Sequence, residues 1–406
     1  MLKLPQPEAL SPHVMQSSGA PTVDLVYFNA GGGHRASALA LQQAIADRGL
    51  EWTVRLVNLT EVLDPQRSLR KFGLSPEDYY NARLARGLTL GLHTELRLLQ
   101  GLIRLLHPTL LKVLGQHWSR TRPDMVVSLI PNFNRALFES LACSLPGVPY
   151  VTVLTDLADH PPHFWIEPGQ DQHLICGTPK AVEQARQAGF EERRIHATSG
   201  MVIRPDFYRR VPALDRRAHG LDPQRPTAVV MFGGHGSRSM VGIAQRLPDV
   251  QLILMCGHNA ALAAKLRALP AAAPRLVLGF TTEVADFMRL GDFFIGKPGP
   301  GSLSEALHLG LPAIVTRNVW TMPQERYNTQ WLAEEGLGLV LPSFRSIRSA
   351  VHQLTQQLPQ YQQRVRERRN RAVYEIPATL EAILATASSD RGDRLRARDD
   401  YVLTPG

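Results

Sequence analysis

Short apolar runs alternate along most of the chain with stretches of helical periodicity. That alternation marks a parallel sheet whose strands are joined by crossover helices. In the first half, Val23–Phe28, Thr53–Val57, Met125–Ile130, Tyr150–Leu154 and His173–Cys176 predict strands. Ser37–Asp47, Asn134–Ser144 and Lys180–Ala188 predict helices between them. A second series opens near Thr227, with strands at Ala228–Phe232, Val250–Met255, Arg275–Leu278, Phe293–Ile295, Ala313–Thr316 and Gly338–Leu341. Its helices fall at Met240–Arg246, Ala260–Ala268, Glu283–Leu290, Leu303–Leu309 and Glu325–Glu335. The pattern predicts an α/β protein of two doubly wound domains facing across a cleft. Pro205–Pro226 is charged, proline-bearing and weakly periodic, and reads as the linker. The expected division is a mobile N-terminus (1–20), a first domain (21–204), the linker (205–226), a second domain with terminal helices (227–387) and a polar, mobile tail (388–406).

Composition narrows the partners. With 406 residues, 44% of them hydrophobic, the chain can build two sizeable cores, and its small charge per residue excludes wholesale disorder. The net charge of +9 favours anionic partners: a phosphorylated substrate, an acidic membrane surface or nucleic acid. No recognised nucleic-acid motif accompanies the charge, so nucleic acid is not expected. Cys143, Cys176 and Cys256 are too few and too scattered for a disulfide framework or a closed zinc site, which fits a reducing, cytoplasmic compartment. Met1–Val23 lacks the apolar run of a signal peptide. His93, Glu95, Arg97, Arg104, His107 and Lys112 interrupt Leu88–Leu114, so no membrane crossing is expected. Gln66–Pro123 carries ten Arg and Lys against three acids, a net +7, with leucines between the charges. It is either a solvated face or an amphipathic surface, bearing Arg83, Arg86, Arg97 and Arg104, that lies on anionic lipid at the inner face of the cell membrane.

Three glycine-rich turns, each after a strand and before a helix, carry the candidate chemistry. They are Gly31-Gly32-Gly33-His34-Arg35, Gly233-Gly234-His235-Gly236 and Lys297-Pro298-Gly299-Pro300-Gly301-Ser302. Open α/β sheets bind ligands at such strand ends, and a helix start offers unpaired N–H groups and partial positive charge. The first turn lacks the Gly-Lys-Ser/Thr ending of a P-loop. It fits the loose dinucleotide pattern Gly31-x-Gly33-x-x-Ala36, which leaves a dinucleotide-dependent oxidoreductase as an alternative class.

Gly31 to Ala38, Cys256-Gly257-His258-Asn259, Gly279-Phe280-Thr281 and Lys297 to Ala306 followed by Gly310-Leu311-Pro312 together carry a resemblance. Their order is similar to that in the monogalactosyldiacylglycerol synthases and bacterial diacylglycerol glucosyltransferases, of glycosyltransferase family 28. Thr155-Asp156-Leu157, His160-Pro161 and Gly200 with Arg204-Pro205-Phe207 fit elements of that family's N-terminal half. The resemblance implies a GT-B fold, two Rossmann-like domains with the nucleotide sugar held mainly by the second, and an inverting transfer. The chain departs from it at Pro323, where relatives usually carry glycine.

Single displacement at an anomeric carbon needs a base for the acceptor hydroxyl, support for the departing diphosphate and contacts that orient the sugar. His34, at a helix start, is the candidate base. Asp156 is its rival or the acid that orients it. Gly32, Gly33, Arg35 and His160 are placed with the acceptor side. The resemblance places Gly233, Gly234, Cys256, Gly257, Asn259, Gly279, Phe280, Lys297, Gly299, Gly301 and Ser302 around the nucleotide sugar. It gives Glu305 the ribose hydroxyls and Gln324 and Glu325 the hexose. Ser302-x-x-Glu305 also reads as a capping box, which alone would explain a glutamate there. No Asp-x-Asp occurs, and no metal or other cofactor is expected. Asp156, Asp159, His160 and His163 are close in sequence, but Pro161 and Pro162 deny them a shared helical face. The leading function is hexose transfer from UDP-galactose or UDP-glucose to a membrane lipid, diacylglycerol first. A polyprenyl-linked acceptor or a non-catalytic nucleotide-binding role are the alternatives beside the oxidoreductase.

Overall fold

A computed structural model describes residues 19–29, 33–64, 92–212 and 214–402, with side chains for all of these except 92–95 and 391–402. The first sheet comprises β1 (Thr22–Tyr27), β2 (Thr53–Asn58), β3 (Met125–Ser128), β4 (Tyr150–Val153), β5 (His173–Cys176) and β6 (Ile195–Ala197). Its helices are α1 (Gly33–Asp47), α2 (Leu59–Leu63), α3 (Leu92–Leu105), α4 (His107–Thr121), α5 (Asn134–Ser144) and α6 (Pro179–Gln187). The strands are all parallel, in the order β2-β1-β3-β4-β5-β6. The second sheet holds β7 (Thr227–Met231), β8 (Gln251–Met255), β9 (Arg275–Leu278), β10 (Phe293–Gly296), β11 (Ala313–Thr316) and β12 (Gly338–Leu341). It too is parallel, in the order β12-β11-β10-β7-β8-β9. Its helices are α7 (Ser239–Arg246), α8 (Ala260–Arg267), α9 (Val284–Arg289), α10 (Pro300–His308), α11 (Arg326–Glu334), α12 (Ile347–Gln356), α13 (Leu358–Glu367) and α14 (Ala372–Val402).

Strand order reverses between β1 and β3 and again between β7 and β10, which opens a crevice at the carboxyl edge of each sheet. The three glycine-rich turns leave from β1, β7 and β10, so the topology delivers all of them to those crevices. The central strands are buried on both faces, which explains their unbroken apolar runs. β6 was not predicted: Ile-His-Ala has no apolar run and needs none at a sheet edge. Helices α1 and α10 start at Gly33 and Pro300, earlier than apolar periodicity places them, because glycine and an N1 proline carry no apolar signal.

The terminal helix ties the halves together. Ala372, Val373, Ile376, Leu380, Ile383 and Leu384 of α14 share a core with Leu41, Ala44 and Ile45 of α1 and with β1. Sequence order groups this helix with the second domain; its apolar stripe is buried in the first. The backbone stays helical to Val402, into the polar segment expected to form a tail. Among the described residues, no helix is long and apolar enough to cross a membrane.

Candidate active site at the facing sheet edges

On the first-domain side, His34 occupies the second position of α1 and Asp156 follows β4. The His34 Nδ1 lies 3.2 Å from Thr155 Oγ1, and its ring centroid is 6.1 Å from that of Trp165. The same indole donates from Nε1 to Asp156 Oδ2 at 2.9 Å. Trp165 thus touches both candidate bases, yet belongs to no motif singled out in the sequence. Burial pushes His34 down to about 4, so its imidazole is neutral at physiological pH. Burial pushes Asp156 up to about 7, against the Trp165 hydrogen bond. Glu325 raises it further and Lys297 opposes the shift, which puts both second-domain charges within electrostatic reach of Asp156.

Asp159 has a different task. Its carboxylate accepts the backbone N–H groups of His163, Phe164 and Trp165 at 3.0, 2.9 and 2.6 Å and so shapes the loop that carries Trp165. His160 is half-buried and precedes a cis proline, Pro161. Gly33 opens α1 and Arg35 is exposed beside His34; Gly32 lies outside the described residues.

On the second-domain side, Lys297 Nζ sits 3.2 Å from Glu325 Oε1, and that glutamate is buried. A Cβ at Gly299 would stand 3.1 Å from Lys297 Cε and 3.4 Å from Glu325 Oε1, so glycine here leaves room for the pair. Asn328 on α11 donates from Nδ2 to the Pro298 carbonyl at 2.8 Å and holds the same loop from beneath. Gln324 makes one long contact, to the Met322 sulfur at 3.8 Å.

The capping box does not form. Gly299 is the N-cap of α10 and no side chain caps it. Ser302 and Glu305 are therefore the third and sixth residues of the helix. Gly301 faces Met201, and Glu305 Oε1 lies 3.6 Å from Arg204 Nε. Burial pushes Glu305 up to about 7, with Arg204 pulling the other way.

Cys256, Gly257 and Asn259 act as scaffold. The Cys256 thiol is buried, which pushes it up to about 11. Gly257 has φ +57°, and a Cβ there would stand 2.0 Å from the Gly234 carbonyl oxygen. The next amide, His258 N–H, donates to that oxygen at 2.9 Å. Asn259 caps α8 through the Leu262 N–H at 2.9 Å and donates to the His235 carbonyl at 3.3 Å. The Gly233–Gly236 turn is thus clamped by the element after β8. Beyond it, after Gly279, Phe280 is 62% exposed and stacks on His258 at 4.1 Å between centroids, an open aromatic surface at the sheet edge.

Of the basic segment, Arg97 and Arg104 are exposed on α3, whereas Arg83 and Arg86 lie outside the described residues. Leu98, Leu102 and Leu105, at i, i+4 and i+7, are also exposed.

Residues 229–379 match the glycosyltransferase family 28 C-terminal domain. The second half of the chain thus carries a domain of glycosyltransferase family 28. Monogalactosyldiacylglycerol synthase 1 of Arabidopsis thaliana is 28% identical over 85% of this chain and 66% of its own length. The spinach (Spinacia oleracea) monogalactosyldiacylglycerol synthase is 30% identical over 57% and 46%. The chain thus spans less than two thirds of either relative. Among solved structures, MurG of Acinetobacter baumannii superimposes with a TM-score of 0.57 at 13% identity, covering 89% of this chain and all of MurG. The glycosyltransferase SnogD of Streptomyces nogalater gives 0.54 at 19%, covering 90% of this chain and all of SnogD. These likenesses establish the GT-B fold. The glycosyltransferase domain match also sets aside the oxidoreductase reading, which rested on one glycine pattern.

Proposed function

We propose that the chain transfers a hexose from a UDP-sugar to a hydroxyl of a membrane lipid, with inversion and with diacylglycerol as the favoured acceptor. One observation carries the reading: the second-domain charges of Glu325 and Lys297 lie close enough to act on Asp156, which shares Trp165 with His34 on the first-domain side. A sugar held at Lys297 and Glu325 then has its anomeric carbon on the side of the base. The names of the relatives, monogalactosyldiacylglycerol synthases, favour galactose and diacylglycerol.

In this reading Glu305 accepts the ribose hydroxyls. Phe280 and the turn around Gly279 hold the uracil edge. The Gly233–Gly234 turn, the α10 start and Lys297 carry the diphosphate charge. Gln324 and Glu325 bind the hexose. His34 takes the acceptor proton as the acceptor oxygen bonds to the anomeric carbon and UDP leaves with the electron pair of the broken bond. No metal or other cofactor enters the reading. The enzyme would work from the cytoplasm, peripherally bound to the inner face of the cell membrane. There the α3 leucines would enter the lipid and Arg97 and Arg104, with Arg83 and Arg86, would meet anionic headgroups.

The test uses purified protein, diacylglycerol vesicles and radiolabelled UDP-galactose or UDP-glucose in separate reactions, with extracted lipids resolved by chromatography. Labelled glycolipid from one donor is the expected result. UDP binding without any labelled lipid would discard diacylglycerol and make a polyprenyl-linked acceptor the next to test. No UDP binding at all would discard the whole reading.

A further inference from the structure

The chain crosses between the domains twice, outward at Ser199–Phe207 and back at Arg368–Tyr374, and the two crossings are stitched together. Arg371 N–H donates to Ser199 Oγ at 2.7 Å, while Ser199 N–H and Oγ–H donate to Glu375 Oε2 at 2.7 and 2.9 Å. Asn370 Nδ2 donates to the Met201 carbonyl at 2.8 Å. A Cβ at Gly200 would stand 2.7 Å from Asn370 Cγ, so the crossings touch.

Beside this seam lies a cavity of about 370 Å³, lined in part by Tyr208, His308, Arg366, Arg369, Arg371 and Tyr374. Its wall includes a run of rings: Tyr208 lies 4.2 Å from His308 and 5.1 Å from Tyr374, centroid to centroid. Among the described residues, no carboxylate lines it. Arg368, a fourth arginine of the lining, pairs with Glu335 outside it. Arg366, Arg369 and Arg371 have no acidic partner among the described residues. The Arg366 side chain lies over Gly310, its Cγ 3.5 Å from where a Cβ would stand, and so packs against the end of α10.

Three arginines lining one cavity with no acidic partner among the described residues would together attract an anion there. Guanidinium forks match phosphate oxygens in pairs. The cavity lies at the opposite end of α10 from Gly299, with His308 about 4.5 Å of helix rise beyond Glu305, so it adjoins the donor cleft without sharing its glycine turn. We propose that this cavity binds a phosphate monoester or diphosphate anion, free or carried as a lipid headgroup. Arg366 belongs to α13, whose Tyr361 and Val365 pack into the second-domain cores, and Tyr374 to α14, which packs into the first. The anion would therefore touch elements packed into both domains, and if the cleft changes its opening the affinity for the anion would be linked to it.

The test titrates inorganic pyrophosphate by calorimetry into the full chain with UDP already saturating, so that the donor site is filled. The same is done with the triple variant Arg366→Gln, Arg369→Gln, Arg371→Gln and with the single variant Arg369→Glu, at an exposed position. All three proteins are also floated with phosphatidylcholine vesicles, with and without phosphatidic acid. The expected result is binding by the wild type and a loss of about tenfold or more in affinity per guanidinium removed, with UDP affinity and melting temperature kept. Loss of pyrophosphate binding assigns a free anion; a loss seen only with phosphatidic acid vesicles assigns a lipid headgroup. No binding of either probe by the wild type, or equal binding by the variants, overturns the proposal. A missing UDP signal in the first step would count against the donor-site reading instead, so the two failures are distinguishable.

Discussion

Replacing Glu305 by glutamine should make the empty protein more stable and the nucleotide-bound protein weaker. The carboxyl group is buried against Arg204, and burial outweighs the arginine, so its value rises from 4.5 to about 7. Each unit is worth about 1.36 kcal/mol of difference between the protonation states. Because the folded value is the higher one, the stability Glu305 contributes is full below about pH 4.5 and is lost as pH rises through about 7. The ionised side chain then costs about 3 kcal/mol of folding stability near pH 8 and about 1 kcal/mol near pH 5. Glu305→Gln removes that cost, so denaturant unfolding should show the variant gaining up to about 3 kcal/mol near pH 8, and much less near pH 5. Ribose hydroxyls bound by a carboxylate are worth about 1.5–3 kcal/mol, so UDP affinity measured by calorimetry near pH 8 should fall roughly ten- to a hundredfold. A variant that binds UDP as tightly as the wild type refutes the ribose assignment. A variant less stable near pH 8 refutes the claim that burial outweighs Arg204.

His34→Ala should lower turnover about 10²–10⁴-fold with UDP affinity kept, as for loss of a general base; near-normal turnover in steady-state assays passes the role to Asp156. Gly257→Ala places a methyl group against the Gly234 carbonyl at φ +57°, so it should destabilise the fold by about 1–3 kcal/mol and weaken UDP binding by displacing the Gly233–Gly236 turn; unchanged melting and UDP titration would sink the clamp. Reversing Arg83, Arg86, Arg97 and Arg104 together should reduce sedimentation with anionic vesicles, at about 1 kcal/mol per well-placed charge, and leave UDP affinity alone. Sedimentation indifferent to anionic lipid or to added salt would make the segment a solvated face.

The fold was legible because its strands are buried on both faces. A strand such as Phe293–Gly296 has no polar side to present and announces itself as an apolar run. Edge strand β6 and the first turns of α1 and α10 were not legible, since nothing apolar is required of them. The docking of α14 was hidden for another reason: an amphipathic helix reveals that it has a buried stripe, not which core takes it. In the site, the glycine-rich turn after β10 led to Lys297, and the family resemblance led to the roles of Glu305 and Glu325. Trp165 and Asn328 are long-range partners. Trp165 lies in an irregular loop shaped by Asp159, and its contacts with His34 and Asp156 are products of folding. The capping-box reading of Glu305 failed because Ser302-x-x-Glu305 fixes a spacing but not a helix start, and Pro300 starts α10 two residues earlier.

The shifted groups also bear on when the site becomes reactive. Asp156 and Glu305, each raised to about 7, are carboxyl groups that the empty cleft holds partly protonated, and His34 at about 4 is a weak base there. Removal of water caused all three shifts, so partners that replace water reverse them. If UDP binds as proposed, ribose hydroxyls donating to Glu305 would favour its ionised form, and a diphosphate beside Lys297 would draw that cation's field away from the first-domain side. A negative donor within reach of His34 favours imidazolium and lifts its value toward the working pH, where a general base is most effective. On this argument the base is strengthened by the donor it serves, and the same burial that weakens His34 in the open cleft gives the donor charge its leverage once bound.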